Sequence, residues 1–238
     1  MSRRIVMCLS LLIPAVIVAG LALSLGSAAA FGGLTWSTTG LNLTTPQAPA
    51  TVTPSPAPPP RTAAGRVQAF YQGDPGAGWD SRAQYDLWWP SACSPAALTM
   101  ALRGWGAHAR IGQVLDRLIA LKAITPQRGL LRAGALETVA EEYGFHALTF
   151  WQWKLEDLAH VTKQGVPVLV DVVDARRQTP YPGFFVGHWL VVVKVSGNQV
   201  EVRDSSGYHI HSMSRAVFHT LFTGIGVVIW QGAAISLP

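Results

Sequence analysis

The chain has 238 residues, 49% of them hydrophobic and only 13% charged, with a formal net charge of +5. That length suits one domain of ordinary size plus appendages. No Asp or Glu occurs before Asp74, and the chain beyond it has no Lys/Arg-rich run or basic stripe, so a nucleic-acid partner is not expected.

Arg3 and Arg4 precede an apolar run from Ile5 to about Leu25, followed by Gly26-Ser27-Ala28-Ala29-Ala30. Positive flank, apolar core and small residues together predict an export signal. The run is also long enough, at ~20 residues, to stay in a bilayer as an anchor. Residues 1–36 are therefore a signal peptide or an N-terminal membrane anchor, with the membrane as partner if the segment is uncleaved. Residues 37–64 turn to Thr, Pro, Ala and Ser, with seven prolines between Pro46 and Pro60. Such a segment cannot bury a core and predicts an extended, semi-rigid spacer. Cys8 lies in the apolar run, leaving Cys93 as the single thiol of the exported part. No internal disulfide is possible there.

The folded domain is expected over 65–238. Ser91-Ala92-Cys93-Ser94-Pro95 reads as a turn delivering a cysteine onto a helix. Pro95 suits a first helical turn. Ala97, Met100, Ala101 and Leu102 supply an apolar face, and Gly104 or Gly106 ends it. Ile111 to Ile119 and Ala133 to Tyr143 predict further helices. Phe145 to Phe150 is a short strand, and Leu155 to Lys163 a fourth helix stopped by Gly165. The period then changes. Pro167 to Val173 and His188 to Val195 are buried strands, and Ser196-Gly197-Asn198 turns the second into Gln199 to Asp204. Tyr208 to Ser212 suggests another strand, Ser214 a helix cap, and Ile225 to Trp230 the closing strand. Helices first and an antiparallel sheet afterwards predict an α+β fold.

The chemistry concentrates on three positions. A helix N-terminus at Cys93 presents unpaired N–H groups and a positive dipole end, and both favour thiolate. His188 opens one arm of the hairpin, after Gly187, and Asp204 ends the other. Pairing through the 196–198 turn is expected to set 188 roughly opposite 204. A cysteine, a base and a carboxylate orienting that base are the parts of a nucleophilic triad, which needs no cofactor.

Ala92-Cys93-Ser94-Pro95-Ala96-Ala97-Leu98-Thr99-Met100-Ala101-Leu102, with Gly106 closing, resembles the nucleophile helix of the papain-like cysteine peptidase family thirty-nine. These are relatives of the peptidases that trim double-glycine leaders from bacteriocins. Gly187-His188-Trp189-Leu190-Val191-Val192-Val193 resembles the family's histidine strand, and Val202-Arg203-Asp204-Ser205 its aspartate turn. The resemblance spans about Gln84 to Trp230. It implies a papain-like fold and hydrolysis of peptide or protein substrates through a thioester. Two positions depart from the pattern. Ser94 stands where the family commonly has glycine. Leu87 stands six residues before the cysteine, where the oxyanion-hole glutamine is usual; the nearest glutamine, Gln84, is the candidate donor with the Cys93 N–H.

Other readings compete. Cys93 as a small core residue would carry no chemistry. His209 and His211, alternating on a strand, could join His188, Cys93 and Asp204 around a metal. A catalytically inactive papain-like domain could bind peptide or cell-wall material, and a cell-wall peptide amidase or endopeptidase could use the same residues. Trp88, Trp89, Trp105 and Trp189 are candidates to line a substrate groove or to fill the core.

Overall fold

The computed structural model describes residues 62–175, 184 and 187–238. The expected leader and most of the spacer lie outside them. Ala63 and Ala64, assigned to the spacer on composition, are buried and donate their N–H groups to the Gly165 carbonyl, both at 2.9 Å. Among the described residues no helix is long and apolar enough to cross a membrane.

The described residues form six helices and eight strands. The helices are α1 (Arg82–Trp88), α2 (Cys93–Gly104), α3 (Ile111–Ala120), α4 (Gly134–Glu142), α5 (Leu155–Lys163) and α6 (Arg215–Leu221). The strands are β1 (Ile124–Thr125), β2 (Gly129–Leu130), β3 (His146–Phe150), β4 (Val168–Val172), β5 (His188–Ser196), β6 (Gln199–Arg203), β7 (Ser212–Ser214) and β8 (Phe222–Trp230). β1 and β2 form a small hairpin; the other six make one sheet in the order β3-β8-β4-β5-β6-β7, antiparallel at every step. The fold is α+β and papain-like, as expected.

α2 is the central helix. Every residue from Ser94 to Leu102 is buried, so it is enclosed on all sides. Leu98, Met100 and Leu102 have no exposed surface, and each contributes on the order of 2 kcal/mol by burial. Close packing at its C-terminal end requires glycine: a Cβ on Gly104 would stand 2.6 Å from Val67 Cγ2.

α2 and α5 both pack against β5. Residues 188–193 are accordingly all buried instead of alternating, as in strands covered on both faces. At Gly226 a Cβ would lie 2.2 Å from the Leu169 carbonyl oxygen, so β8 can approach β4 only with glycine there.

Three expectations are corrected. The strand expected from Tyr208 to Ser212 starts only at Ser212, because His209 takes φ +51° and breaks extension. His209 and His211 thus precede β7 outside any strand. The β5–β6 register also differs: the ladder ends at Val191↔Arg203, after a bulge between Val192 and Lys194. Asp204 lies beyond the ladder, and 188 is not its cross-strand partner.

Candidate active site

Cys93 is the first residue of α2, and no side chain caps the helix N-terminus there. Ala92 precedes it at φ −94° and ψ 17°, which turns the chain out of a 3-10 turn at Trp89–Ser91 and into the helix. The thiol is half-buried and free. Ser94 is fully buried, and its Oγ finds no hydrogen-bond partner among the described residues. The turn therefore accepts a serine where glycine was expected, at the cost of an unsatisfied hydroxyl.

His188 is held on three sides. Its Nε2 lies 2.7 Å from Asp204 Oδ1. Cys93 also acts on the ring electrostatically, and with Nε2 committed, Nδ1 is the nitrogen left for the sulfur. The Phe184 ring, itself fully buried, stacks on the imidazole at a centroid distance of 4.7 Å and 17° between planes. Burial pulls the His188 pKa down, but the Asp204 hydrogen bond and the influence of Cys93 outweigh it and raise it to about 9. Imidazolium is thus the resting form near neutrality.

Asp204 is 1% exposed. Burial pushes its pKa up, but the bonds from His188 and Ser206 more than offset this and hold it below the usual carboxylate range. The Ser206 N–H donates to Oδ1 at 2.9 Å, and the Ser206 hydroxyl donates to Oδ2. The bulged register sets Asp204 in this turn, where backbone and side-chain donors converge on it. Gly187, just before β5, has φ +101°, and an added Cβ would meet nothing nearer than 3.9 Å. Its glycine is needed for conformation, not for close approach.

Gln84 does not join these residues, which corrects the expectation for it. Ser81 caps α1 by accepting from the Gln84 N–H at 3.0 Å. The Gln84 side chain accepts from the Asp80 N–H at 2.9 Å and donates to Asp116 Oδ1 at 2.8 Å and to the Gly112 carbonyl at 3.3 Å. It is committed to the start of α3.

The glutamine built into the site region is Gln72, which spacing did not reveal. It is 6% exposed. Its Oε1 accepts from Ser205 Oγ at 2.7 Å, its N–H donates to the Ser205 carbonyl at 2.9 Å, and its Nε2 donates to the Trp89 carbonyl at 2.8 Å. It therefore bridges the residue after Asp204 and the turn that leads into Cys93. The Trp89 carbonyl uses one of its two amide protons.

A cavity of about 530 Å³ opens at Cys93. Pro90 and Ser91 flank it on one side and residues 126–130 of the β1–β2 hairpin on another, while Asp171, Gly187 and Trp189 complete the wall. Of the four candidate tryptophans only Trp189 borders it. Trp88 and Trp105 are core residues, Trp105 donating to the Ile229 carbonyl at 3.0 Å, and Trp89 stacks on Tyr85. Among the described residues no group of three or more His, Cys, Asp or Glu is placed to hold a metal ion.

Residues 78–226 match the Peptidase_C39 like family. A search of curated proteins finds no match. A protein of Bacillus anthracis described as a C39-like peptidase aligns at TM-score 0.50 and 14% identity, over 73% of this chain and 98% of its own. The peptidase domain of Streptococcus ComA, a bi-functional ABC transporter of a quorum-sensing pathway, aligns at TM-score 0.48 and 20% identity, over 59% and 91%. With the matched region covering more than half of the chain, the protein belongs to the Peptidase_C39 like family.

Proposed function

We propose that this protein is an exported peptidase that hydrolyses peptide bonds with Cys93 as nucleophile, His188 as acid and base, and Asp204 as the group that orients His188. The observation that carries this reading is the position of His188, with Nε2 on a buried carboxylate and Cys93 acting electrostatically on its ring. The thiolate attacks the scissile carbonyl carbon, and the developing oxyanion is received by the Cys93 backbone N–H and the second Nε2 proton of Gln72. The Nδ1 proton of His188 passes to the leaving amine, the C–N bond breaks, and a thioester remains on Cys93. Neutral His188 then takes a proton from water, whose oxygen attacks the thioester and releases the acid and the thiol. Asp204 keeps the Nε2–H oriented throughout and stabilises the imidazolium.

Export is supported by Arg3 and Arg4, the apolar run and the proline-rich spacer, which together would hold the domain outside the cytoplasm, tethered or released. The catalytic reading is tested by alkylating the purified protein with iodoacetamide across a pH series and following peptide turnover. Cys93 is expected to be alkylated more slowly once His188 is replaced. Cys93→Ala and His188→Ala are each expected to abolish turnover. Alkylation indistinguishable from a free thiol, unchanged by His188→Ala, would support a non-catalytic binding domain.

A further inference from the structure

One carboxylate in the cavity has no part in the hydrolytic mechanism. Asp171 is on β4, directly across from Trp189 of β5, and both residues border the space beside Cys93. Its Oδ2 accepts from Thr223 Oγ1 at 3.0 Å; Oδ1, the oxygen nearer Gly187, has no donor among the described residues. Asp171 makes no ion pair among the described residues. Among them the only other formal charge bordering the cavity, beyond the catalytic groups, is Arg128, exposed in the β1–β2 turn.

These two charges do not cancel. Arg128 is in solvent, where screening weakens its field, while Asp171 is half-buried and acts through a medium of lower dielectric. Burial pushes the Asp171 pKa up, with Thr223 and His188 pulling against it, as for a carboxylate lacking a sufficient counter-charge. Among the described residues Asp171 is therefore the half-buried charge on the cavity wall beside Cys93.

We propose that this cavity selects peptides carrying an ammonium group close to the scissile bond, with Asp171 as its receptor and Trp189 beside the aliphatic stem. A lysine side chain has the matching anatomy, since its methylenes lie on apolar surface while the charged end reaches a carboxylate. A free peptide N-terminus offers the same ammonium from a different source. The inference rests on reading the Cys93 cavity as the substrate cleft.

The test uses Cys93→Ala protein and capped Ala/Gly hexapeptides carrying lysine or norleucine at one position at a time, with binding measured by calorimetry. A second set has norleucine and a free N-terminus. Lysine at one position is expected to bind about tenfold more tightly than norleucine, equivalent to about 1.4 kcal/mol. Asp171→Asn should reduce that ratio to near one. The ratio should also fall with added salt, a measurement that needs no substitution at 171. A preference for the free N-terminus over lysine assigns the ammonium to the α-amine. Equal binding of lysine, norleucine and free-amine peptides, or a preference that survives Asp171→Asn, overturns the proposal. A lysine preference in a protein whose wild-type form cleaves none of these peptides would overturn the peptidase reading and leave the receptor role of Asp171 standing.

Discussion

Asp204→Asn isolates the electrostatic part of the proposed triad. Asparagine keeps an acceptor near His188 Nε2, now at 2.7 Å from Oδ1, and removes the negative charge. His188 has a pKa of about 9 against an ordinary 6.5, and at about 1.4 kcal/mol for each pH unit this amounts to roughly 3 kcal/mol favouring imidazolium. Burial opposes that preference, so Asp204 and Cys93 together supply more than this net. Losing the Asp204 charge is expected to lower the His188 pKa by at least one pH unit. Stability moves with the same proton. The folded value exceeds the unfolded one, so the His188 contribution is fully present below pH 6.5 and is lost as pH rises through about 9. In Asp204→Asn the loss should be complete nearer pH ~8. The assay is an NMR titration of protein labelled with 15N-histidine, the His188 signals being those absent from His188→Ala. Urea unfolding at pH ~6 and ~9.5 checks the stability term. A wild-type His188 that titrates near 6.5, or one left at 9 by Asp204→Asn, would refute the reasoning.

The two glutamines separate cleanly. Gln72→Ala should cost on the order of a hundredfold in kcat if its amide serves the oxyanion. Gln84→Ala should leave kcat within about twofold and lower stability by on the order of 1 kcal/mol, through the α1–α3 bonds it removes; a reversed pattern would restore the sequence expectation. Ser94→Ala should raise the unfolding free energy by about 1 kcal/mol by deleting a buried hydroxyl with no partner, and a loss of stability in denaturant would show that the hydroxyl is satisfied. For export, a protease added to intact cells should remove an epitope placed on the domain if the chain is anchored, and complete protection with no protein in the medium would count against it.

Cys93, His188 and Asp204 were legible in the sequence because each sits where local pattern is strong. Cys93 heads a helix buried from Ser94 to Leu102, and His188 opens a run of six buried residues that reads as a covered strand. Gln72 was not legible, because α1 and a 3-10 turn stand between it and Cys93, so no short spacing marks it. The misassignment of Gln84 had a local signal against it: Ser81-Arg82-Ala83-Gln84 has the serine-to-glutamine interval of a capping box, which places Gln84 in a helix start. The β1–β2 hairpin escaped notice because strands of two residues carry no period. The β5–β6 bulge escaped because an extra residue in a uniformly β-branched run leaves no trace in composition.

The division of the site between helix and sheet has a consequence for when the protein becomes dangerous to its own cell. His188 and Asp204 come from one hairpin region, but the sulfur arrives on α2, from the opposite half of the fold. Contacts of such long sequence separation form late, after the cost of closing the intervening chain. A chain not yet folded has its cysteine and its base on separate segments and holds no competent pair. Assembly of the core thus acts as the safety catch on the enzyme, with no separate inhibitory segment required.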